Sequence, residues 1–207
     1  MEQVLEVYQR PYDESHPVVC LDEQPKQLIA EARVPRQCSD GTMLHDYEYE
    51  RKGTASIFMT FEPLGGKRFL SVYEQHTHKQ WANVVADLVE NRYANASHLT
   101  LVMDNLSTHS LASLYKAFPA PRAQAIARKI TITYTPKHGS WLNMAECELS
   151  VLTRVGLEER IDTLEKLKQQ CHDFEQRRNI AATKANWQFT TPDARVKLKR
   201  LYPVFDT

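Results

Sequence analysis

Three acidic side chains occupy positions from which they could share one site. Asp22 follows the apolar run 17–21, and Asp104 follows a second apolar run, 99–103. A carboxylate at the tip of a buried strand costs free energy unless a positive charge meets it. The capping of a following helix would explain a lone Asp104. A second acid in the same setting, with Glu146 in a helical stretch further along, favours a shared acidic site instead.

The chemistry open to these acids depends on whether the two strands are neighbours. In open α/β sheets, sites form outside the carboxyl ends of the strands, where Asp22 and Asp104 stand. Carboxylates that lie together repel and shift each other's pKa unless a cation separates them. Mg²⁺ takes oxygen ligands and keeps several waters. The pattern therefore predicts a magnesium site that draws an acidic ligand from each strand.

A third acid is expected from the helix that follows Gly139, where two candidates stand. The buried stripe of that helix is predicted to consist of Leu142, Ala145, Leu149 and Leu152. Glu146 lies beside this stripe and can face the edge of the sheet, because residues three and four apart share a helix face. Glu148 lies on the other flank, near Trp141. Spacing gives Glu146 only a mild preference, so both candidates stay open on the residues alone.

An order of strand, hairpin, helix, strand, helix, strand and helix would position these acids. Apolar β-branched runs predict strands, and apolar residues three and four apart predict helices. The predicted strands span 17–22, 54–61, 68–73, 99–103 and 130–135; the predicted helices lie within 1–16 and over 79–93, 111–118, 122–129, 141–157 (with Ser140 as N-cap) and 164–180. Residues 24–52 are predicted to be an irregular surface excursion. The order indicates an α/β fold, a mixed five-stranded sheet flanked by helices.

Length and composition are typical of a globular protein. A chain of 207 residues fits one large domain or a domain with an appendage, and its 42% hydrophobic and 25% charged residues can build a core. No apolar run is long enough for a membrane span, and the N-terminus is unlike a signal peptide. The four cysteines form no C-x-x-C pair, which favours free thiols in an intracellular compartment.

The charges are unevenly distributed along the chain although the formal net charge is zero. Residues 1–52 carry eleven acidic and six basic side chains, whereas residues 176–203 carry seven basic side chains and one acid, Asp193. Such asymmetry predicts a basic surface near the C-terminus, with a solvated helix face as the alternative explanation.

The motifs around the three acids resemble the DDE transposases of bacterial insertion sequences, in the branch related to the mariner superfamily. Asp104-Asn105 with a histidine at 109 is similar to the second signature of that branch. Its third signature is matched by Tyr134-Thr-Pro136 and by Leu142-Asn-Met-Ala-Glu146. The resemblance runs from about residue 17 to residue 202, and its alignment selects Glu146 over Glu148.

The resemblance implies an RNase H-like fold and phosphoryl transfer on DNA. It assigns the DDE catalytic domain to residues 17–181, with an N-terminal helix and linker over 1–16 and a basic tail over 182–207 packed on the domain. Asp22, Asp104 and Glu146 would hold two Mg²⁺ ions, with Mn²⁺ as a substitute, for strand cleavage and strand transfer. The implied partners are transposon-end and target DNA, bound by a homodimer assembled on DNA, in the cytoplasm of a bacterial cell at the nucleoid.

Further polar residues are predicted to contact DNA. They are Asn105, His109, Lys137, His138, Asn143, Arg177, Arg178, Lys184, Arg195, Lys197, Lys199 and Arg200. For five of them another role stays open: Asn105 as a turn former, His109 as a holder of a carboxylate or as packing at a helix entry, Asn143 as support for a helix start, and Lys137 and His138 as parts of a solvated loop. Trp141 is expected in the core rather than as a platform for stacking bases.

Two departures from the family pattern qualify the expected activity. Asp104 and Glu146 are separated by 41 residues, which is longer than the spacing usual in the family. The sixteen residues before the first strand are too few for the helix-turn-helix region that reads transposon ends. We therefore expect a catalytic domain, either excised or a degenerate remnant. The alternatives are a remnant that binds DNA without cutting it and a different RNase H-like nuclease.

Overall fold

The computed structural model describes residues 1–44, 46–137 and 139–201, so the predicted DNA contact His138 lies outside the described residues. The strands are β1 (Val18–Glu31), β2 (Arg36–Gln37), β3 (Met43–Leu44), β4 (Tyr49–Glu62), β5 (Lys67–Tyr73), β6 (Leu99–Met103) and β7 (Ile130–Tyr134). The α-helices are α1 (Glu2–Tyr8), α2 (His78–Asp87), α3 (Leu111–Ala117), α4 (Ala120–Arg128), α5 (Met144–Val155), α6 (Leu164–Ile180) and α7 (Thr191–Lys197). Short 3₁₀ turns cover Ser140–Leu142 and Lys199–Leu201, and a π-helical turn, Leu88–Arg92, extends α2.

Five strands form the central sheet, in the order β5-β4-β1-β6-β7. Strands β5, β4 and β1 pair antiparallel, whereas β1, β6 and β7 pair parallel. The predicted mixed five-stranded sheet is therefore confirmed. All five residues of β6 are buried because this short strand lies between two neighbours. Among the described residues, no helix is long and apolar enough to cross a membrane.

The prediction that residues 24–52 are irregular is wrong for most of that stretch. Strand β1 continues to Glu31, β4 already begins at Tyr49, and only a small β2–β3 hairpin remains between them. Pro25 lies inside β1 opposite Ser56. The strand tolerates a residue without an N–H there, because its pairing with β6 ends at Cys20 and one edge is open.

The extended parts of β1 and β4 form an arm, which we define as residues 25–31 and 49–55. In the described part of the chain the arm pairs with no third strand, since the β4–β5 ladder reaches no further than Ser56. Outside the arm, the Ile29 N–H donates to the Ile161 carbonyl oxygen at 2.7 Å. The register of the β1–β4 pairing shifts at Leu28, opposite Gly53. The φ of Gly53 is 114°, a backbone angle that glycine adopts at little cost. Arg160 holds the far end through Glu31 at 2.6 Å and through the carbonyl oxygens of Asp46 and Glu48.

The sheet separates two apolar layers. Cys20 and Val102 face the layer of α1, α5 and α6, whereas Val19 and Leu101 face the layer of α2, α3 and α4. Because side chains alternate along a strand, Asp22 shares the face of Cys20. The fold therefore directs Asp22 toward the side that α5 covers.

Candidate active site

Asp22 and Asp104 stand at the same level of two neighbouring parallel strands. The last paired residues of β1 and β6 are Cys20 and Val102, and each acid lies two positions further along its own chain. Parallel strands run about 4.8 Å apart, so the two carboxylates leave the sheet next to each other. The expected neighbouring strands, with an acid at each carboxyl end, are present.

The surroundings of Asp22 disfavour its ionised form. Burial raises the pKa of Asp22 to about 7, and the negative charges of Glu23, Asp104 and Glu146 add to this effect. The backbone N–H of Glu23 donates to Asp22 Oδ1 at 2.9 Å and opposes the shift only in part. A carboxylate with so little compensation is the kind of group that a bound cation stabilises.

Asp104 is held by a buried histidine. The Asp104 Oδ1 and His109 Nδ1 atoms lie 2.5 Å apart, and this hydrogen bond lowers the pKa of Asp104. On the other edge of the ring, His109 Nε2 lies 3.1 Å from Glu23 Oε2. Burial alone would lower the pKa of His109, but the two carboxylates raise it to about 9, so the ring is an imidazolium ion at neutral pH.

The surroundings of His109 fix the ring in place. Its ring stacks on Trp81 with centroids 6.0 Å apart, and Tyr134 donates its hydroxyl hydrogen to the His109 carbonyl oxygen at 2.7 Å. Only 2% of His109 is exposed. Of its predicted roles, the structure supports the holding of Asp104 and packing against Trp81, and it leaves no surface of the ring for DNA.

Glu146 and Glu148 differ sharply in their surroundings. Glu146 lies in the first turn of α5 and is exposed. Glu148 is buried, and both of its oxygens are occupied: Oε2 accepts from Arg68 Nε at 2.6 Å, and Oε1 accepts from Arg68 Nη2 at 2.9 Å and Arg178 Nη2 at 2.8 Å. Glu148 is thus enclosed by Arg68 and Arg178, and geometry leaves Glu146 as the available acid.

The start of α5 is fastened directly to β1. Asn143, not Ser140, is the N-cap: its side-chain oxygen accepts from the Ala145 N–H at 3.2 Å, and its Nδ2 donates to the Leu21 carbonyl oxygen at 2.9 Å. Asn143 is 1% exposed, so it supports the helix start and offers nothing to DNA. The cap fixes the first turn of α5, with Glu146, beside the end of β1.

The donor set suits a divalent cation, although the side chains would have to adjust. Within 1–44, 46–137 and 139–201, no three His, Cys, Asp or Glu side chains already form a metal-binding group. His109 occupies an oxygen of Asp104, and Glu146 is exposed to solvent. Three carboxylates around the half-buried Asp22 are the oxygen ligands that hard cations take. Binding would draw Asp104 and Glu146 toward Asp22.

Two of the predicted DNA contacts form ion pairs with acidic side chains of the protein, whereas most of the others are exposed to solvent. Arg178 is bound to the buried Glu148, and Arg195 pairs with Glu2 at 2.7 Å. The other exposed contacts in the described part of the chain are Asn105, Lys137, Arg177, Lys184, Lys197, Lys199 and Arg200. The structure therefore brings Asp22, Asp104, His109 and Asn143 to the ends of β1 and β6 and leaves these other predicted contacts exposed to solvent.

Sequence analysis missed Glu23, Trp81 and Arg68. Glu23 follows Asp22 and so faces the opposite side of the sheet, where it meets His109. Its adjacency to Asp22 was the one available signal. The burial of Arg68 depends on Glu148, which is 80 positions away along the chain, and no local pattern indicates it.

Asp22→Asn is expected to raise the melting temperature of the metal-free protein. The folded chain keeps a proton on Asp22 up to about pH 7, whereas the unfolded chain loses it near pH 4, so rising pH removes stability. We expect a gain of a few degrees at about pH 8 and little change at about pH 4, by calorimetry. Asp162→Asn, at an exposed acid, is the matched control. An equal change in both variants would contradict the prediction.

A sheet in this order, with acids at the carboxyl ends of its two central parallel strands, defines an RNase H-like fold with an acidic site. A family model described as DDE superfamily endonuclease matches residues 17–168. The chain belongs to this family.

Solved structures of similar fold come from mariner transposition complexes. The Mos1 mariner paired end complex with Mn is 13% identical, with a TM-score of 0.54, over 90% of this chain and 61% of that chain. The Mos1 strand transfer complex is 13% identical, with a TM-score of 0.53, over 90% of this chain and 60% of that chain. The mariner Mos1 paired end complex with Mg is 10% identical, with a TM-score of 0.53, over 90% of this chain and 62% of that chain. The present chain thus spans about three fifths of those chains. No curated protein matches it.

Proposed function

We propose that this chain is the catalytic domain of a DNA transposase, which cleaves DNA strands and joins them to a target by phosphoryl transfer. The observation that carries the proposal is the adjacency of Asp22 and Asp104 at the ends of paired parallel strands. The negative charge of Glu146, on α5, adds to the raised pKa of Asp22 and supports it as the third acid. Membership of the DDE superfamily endonucleases and the fold shared with Mos1 support it.

Asp22, Asp104 and Glu146 would hold two Mg²⁺ ions, or Mn²⁺ in their place. When bound, such ions would supply activation of a water or of a DNA 3′-hydroxyl and neutralisation of charge on the leaving oxygen. His109 keeps Asp104 ionised and limits its rotation, since one oxygen is tied at 2.5 Å. Asn143 keeps the first turn of α5 against β1. No side chain has to act as a covalent nucleophile.

The proposed domain comprises residues 17–181, with 1–16 and the basic tail 182–207 packed on it. The contact of α1 with the core and with α7 supports this division. We also propose transposon-end and target DNA as partners, a homodimer assembled on that DNA, and action at the bacterial nucleoid, by analogy with insertion-sequence transposases.

The direct test is a strand-cleavage assay on labelled duplex DNA with Mg²⁺ or Mn²⁺. The proposal expects nicks that leave a 3′-hydroxyl, and joined products when target DNA is added. Both should vanish when the metal is chelated. Cleavage that continues in the presence of a chelator would contradict the metal-dependent site.

A second candidate function is DNA binding without cutting. The observation that favours it is that no ready three-ligand metal group exists among the described residues. A titration with Mn²⁺, followed by the shift in melting temperature, separates the two. Stabilisation that disappears in Glu146→Gln supports the catalytic candidate, whereas DNA binding without any metal response supports the other.

We expect weak, salt-sensitive binding to duplex DNA through the basic tail. For each DNA phosphate that the protein contacts, the logarithm of the affinity falls by about 0.9 when the logarithm of the salt concentration rises by one. Replacing Lys199 and Arg200 together with glutamine should therefore flatten the slope by up to about 1.8 and weaken all sequences alike. Fluorescence anisotropy at several salt concentrations measures this.

The matched control for the tail replaces Lys116 and Arg128, an exposed pair on α3 and α4, with glutamine. This control changes the net charge by the same amount as the tail variant, but it should leave the slope of log affinity against log salt concentration unchanged. Tight binding of this chain alone to one terminal repeat at physiological salt would contradict the expectation of weak sequence preference.

A further inference from the structure

A second feature of the surface lies outside the acidic site, on the side of the sheet covered by α1. The end of α1 and the segment after α6 enclose an open groove of about 1040 Å³, including the solvent at its mouth. The residues that matter for its chemistry are Tyr8, Arg10, Tyr12, Lys184, Trp187 and Gln188. No Asp or Glu is among the described residues that line it. Its charged lining residues, Arg10 and Lys184, are both basic and suit an anion, whereas at the Tyr12 end partial burial and the nearby charges of Glu62, Glu14 and Asp13 raise the pKa of that phenol.

Aromatic rings connect this groove to the start of α5. Trp187 packs on Tyr8 with centroids 5.3 Å apart and stacks on Trp141 with centroids 6.1 Å apart and planes inclined by 26°. Phe189 meets Trp141 edge-on at 6.0 Å. Trp141 lies in the 3₁₀ turn that precedes α5, so the strip of rings runs from the groove to the start of that helix.

The outer rings of the strip are open to solvent. Trp141 is 44% exposed and Tyr12 is 48% exposed, which corrects the expectation that Trp141 is a core residue. Cations stand over two of the rings: Lys184 Nζ is 6.0 Å from the Tyr12 centroid, and Lys197 Nζ is 5.6 Å from that of Phe189. Exposed flat rings beside cations are the two components of surfaces that bind single-stranded nucleic acid.

We propose that the groove and its aromatic strip bind an unpaired stretch of DNA strand, with bases stacked on Trp141 and Tyr12 and phosphates near Arg10 and Lys184. Duplex DNA already stacks its own bases, so it would use the cations but not the exposed rings. The choice of DNA rests on the proposed function, whereas the stacking of unpaired bases rests on the groove itself.

Tryptophan fluorescence reports directly on this surface. The chain has three tryptophans, and Trp81 is fully buried in the opposite layer, against His109. A change in emission on ligand binding therefore arises at Trp141 or Trp187. The titration uses a short oligo(dT), with duplex of equal length for comparison, in chelator so that cleavage plays no part. Quenching by oligo(dT) at lower concentration than by duplex is expected.

Paired substitutions separate stacking from charge. Trp141→Leu and Tyr12→Leu remove a ring, and each should weaken oligo(dT) affinity by about tenfold, because a stacked base contributes on the order of one to three kcal/mol, about fivefold or more in affinity. Trp141→Phe and Tyr12→Phe keep a ring and should stay close to the parent. Tyr115→Leu, at an exposed ring on α3, is the control for surface substitution. Equal losses in the Leu and Phe variants would overturn the proposal.

Other occupants of the groove give distinct results. A second copy of the chain would appear as a dimer in sedimentation without DNA, and Trp141→Leu would dissociate it. The chain's own residues 202–207 would block oligo(dT) until a truncation after Leu201 removed them. Either result overturns the assignment. The titration contains no metal, so its result does not depend on cleavage. If oligo(dT) binds but the separate assay detects no cleavage, the result counts against the transposase proposal and still supports the proposed binding of unpaired DNA in the groove.

Discussion

Asp22→Asn, Asp104→Asn and Glu146→Gln are each expected to lower metal-dependent strand cleavage at least about a thousandfold while the protein stays folded. A metal clamp contributes several kcal/mol of transition-state stabilisation, and each 1.36 kcal/mol is tenfold in rate. Each substitution keeps the shape of the side chain and removes one anionic ligand. The measurement is cleavage of labelled DNA in Mg²⁺ and in Mn²⁺, with circular dichroism to confirm the fold.

The control for position is Glu165→Gln, which removes an exposed acid from the first turn of α6 just as Glu146→Gln does from α5. It should cleave like the parent. If Glu146→Gln retained full activity, the assignment of the third acid would be wrong.

Glu148→Gln is expected to destabilise the protein by about 3–5 kcal/mol, because it leaves the guanidinium of Arg68 buried without a counter-charge. Arg68 is fully buried, and it also donates to the carbonyl oxygens of Gly66 and Thr183. For a chain of this length the melting temperature should fall by roughly 6–20 °C. Thermal unfolding followed by calorimetry or circular dichroism measures the change.

An exposed pair of the same residue types provides the comparison. Arg122 binds both oxygens of Glu90 at 2.9 and 2.7 Å, with side chains 47% and 37% exposed. Glu90→Gln should lower stability by no more than about 1 kcal/mol, since water screens such pairs. If Glu148→Gln and Glu90→Gln lost the same unfolding free energy, burial would not be the cause of the contribution of the Arg68–Glu148 pair to stability.

The Arg68–Glu148 pair also shows why the two candidate acids could not be separated by spacing. Glu146 and Glu148 both border the apolar stripe of α5, and only the fold reveals that Arg68 and Arg178 reach one of them. Because Arg68 and Arg178 occupy Glu148, we expect Glu148→Gln to leave cleavage activity nearly unchanged when it is assayed below the melting temperature of that variant.

Sequence patterns predicted the parts of the fold that depend on local apolar periodicity. Strand β6, with every residue buried, and α6, with the predicted bounds, are examples. The arm could not be predicted in this way, since Pro25 and the polar residues around it resemble a loop. Its strands exist because β1 and β4 pair with each other, and pairing between residues distant in sequence leaves no local period.

The candidate site was predictable to a similar extent. Asp22 and Asp104 end strands whose apolar character is visible in the sequence, so their meeting follows from the parallel pairing of β1 and β6. The role of Glu23 was not predictable, because it requires His109 to reach across the end of the sheet. The N-cap of α5 was misplaced by three residues because a 3₁₀ turn precedes the helix.

The arm extends the sheet beyond Asp22 as two strands only. A two-stranded ribbon without a third strand is marginal in water, so the outer end of the arm opens by local unfolding, while Leu28 and Ala55, which lie in the core, hold its base to the five-stranded sheet. Arg160 acts as a latch on that opening, because it joins Glu31 to the backbone on the far side of the β2–β3 hairpin. When the latch releases, β1 and β4 present unpaired backbone edges just beyond Asp22. A strand from another chain can add to such edges, which makes the arm the place where self-association of this protein would begin.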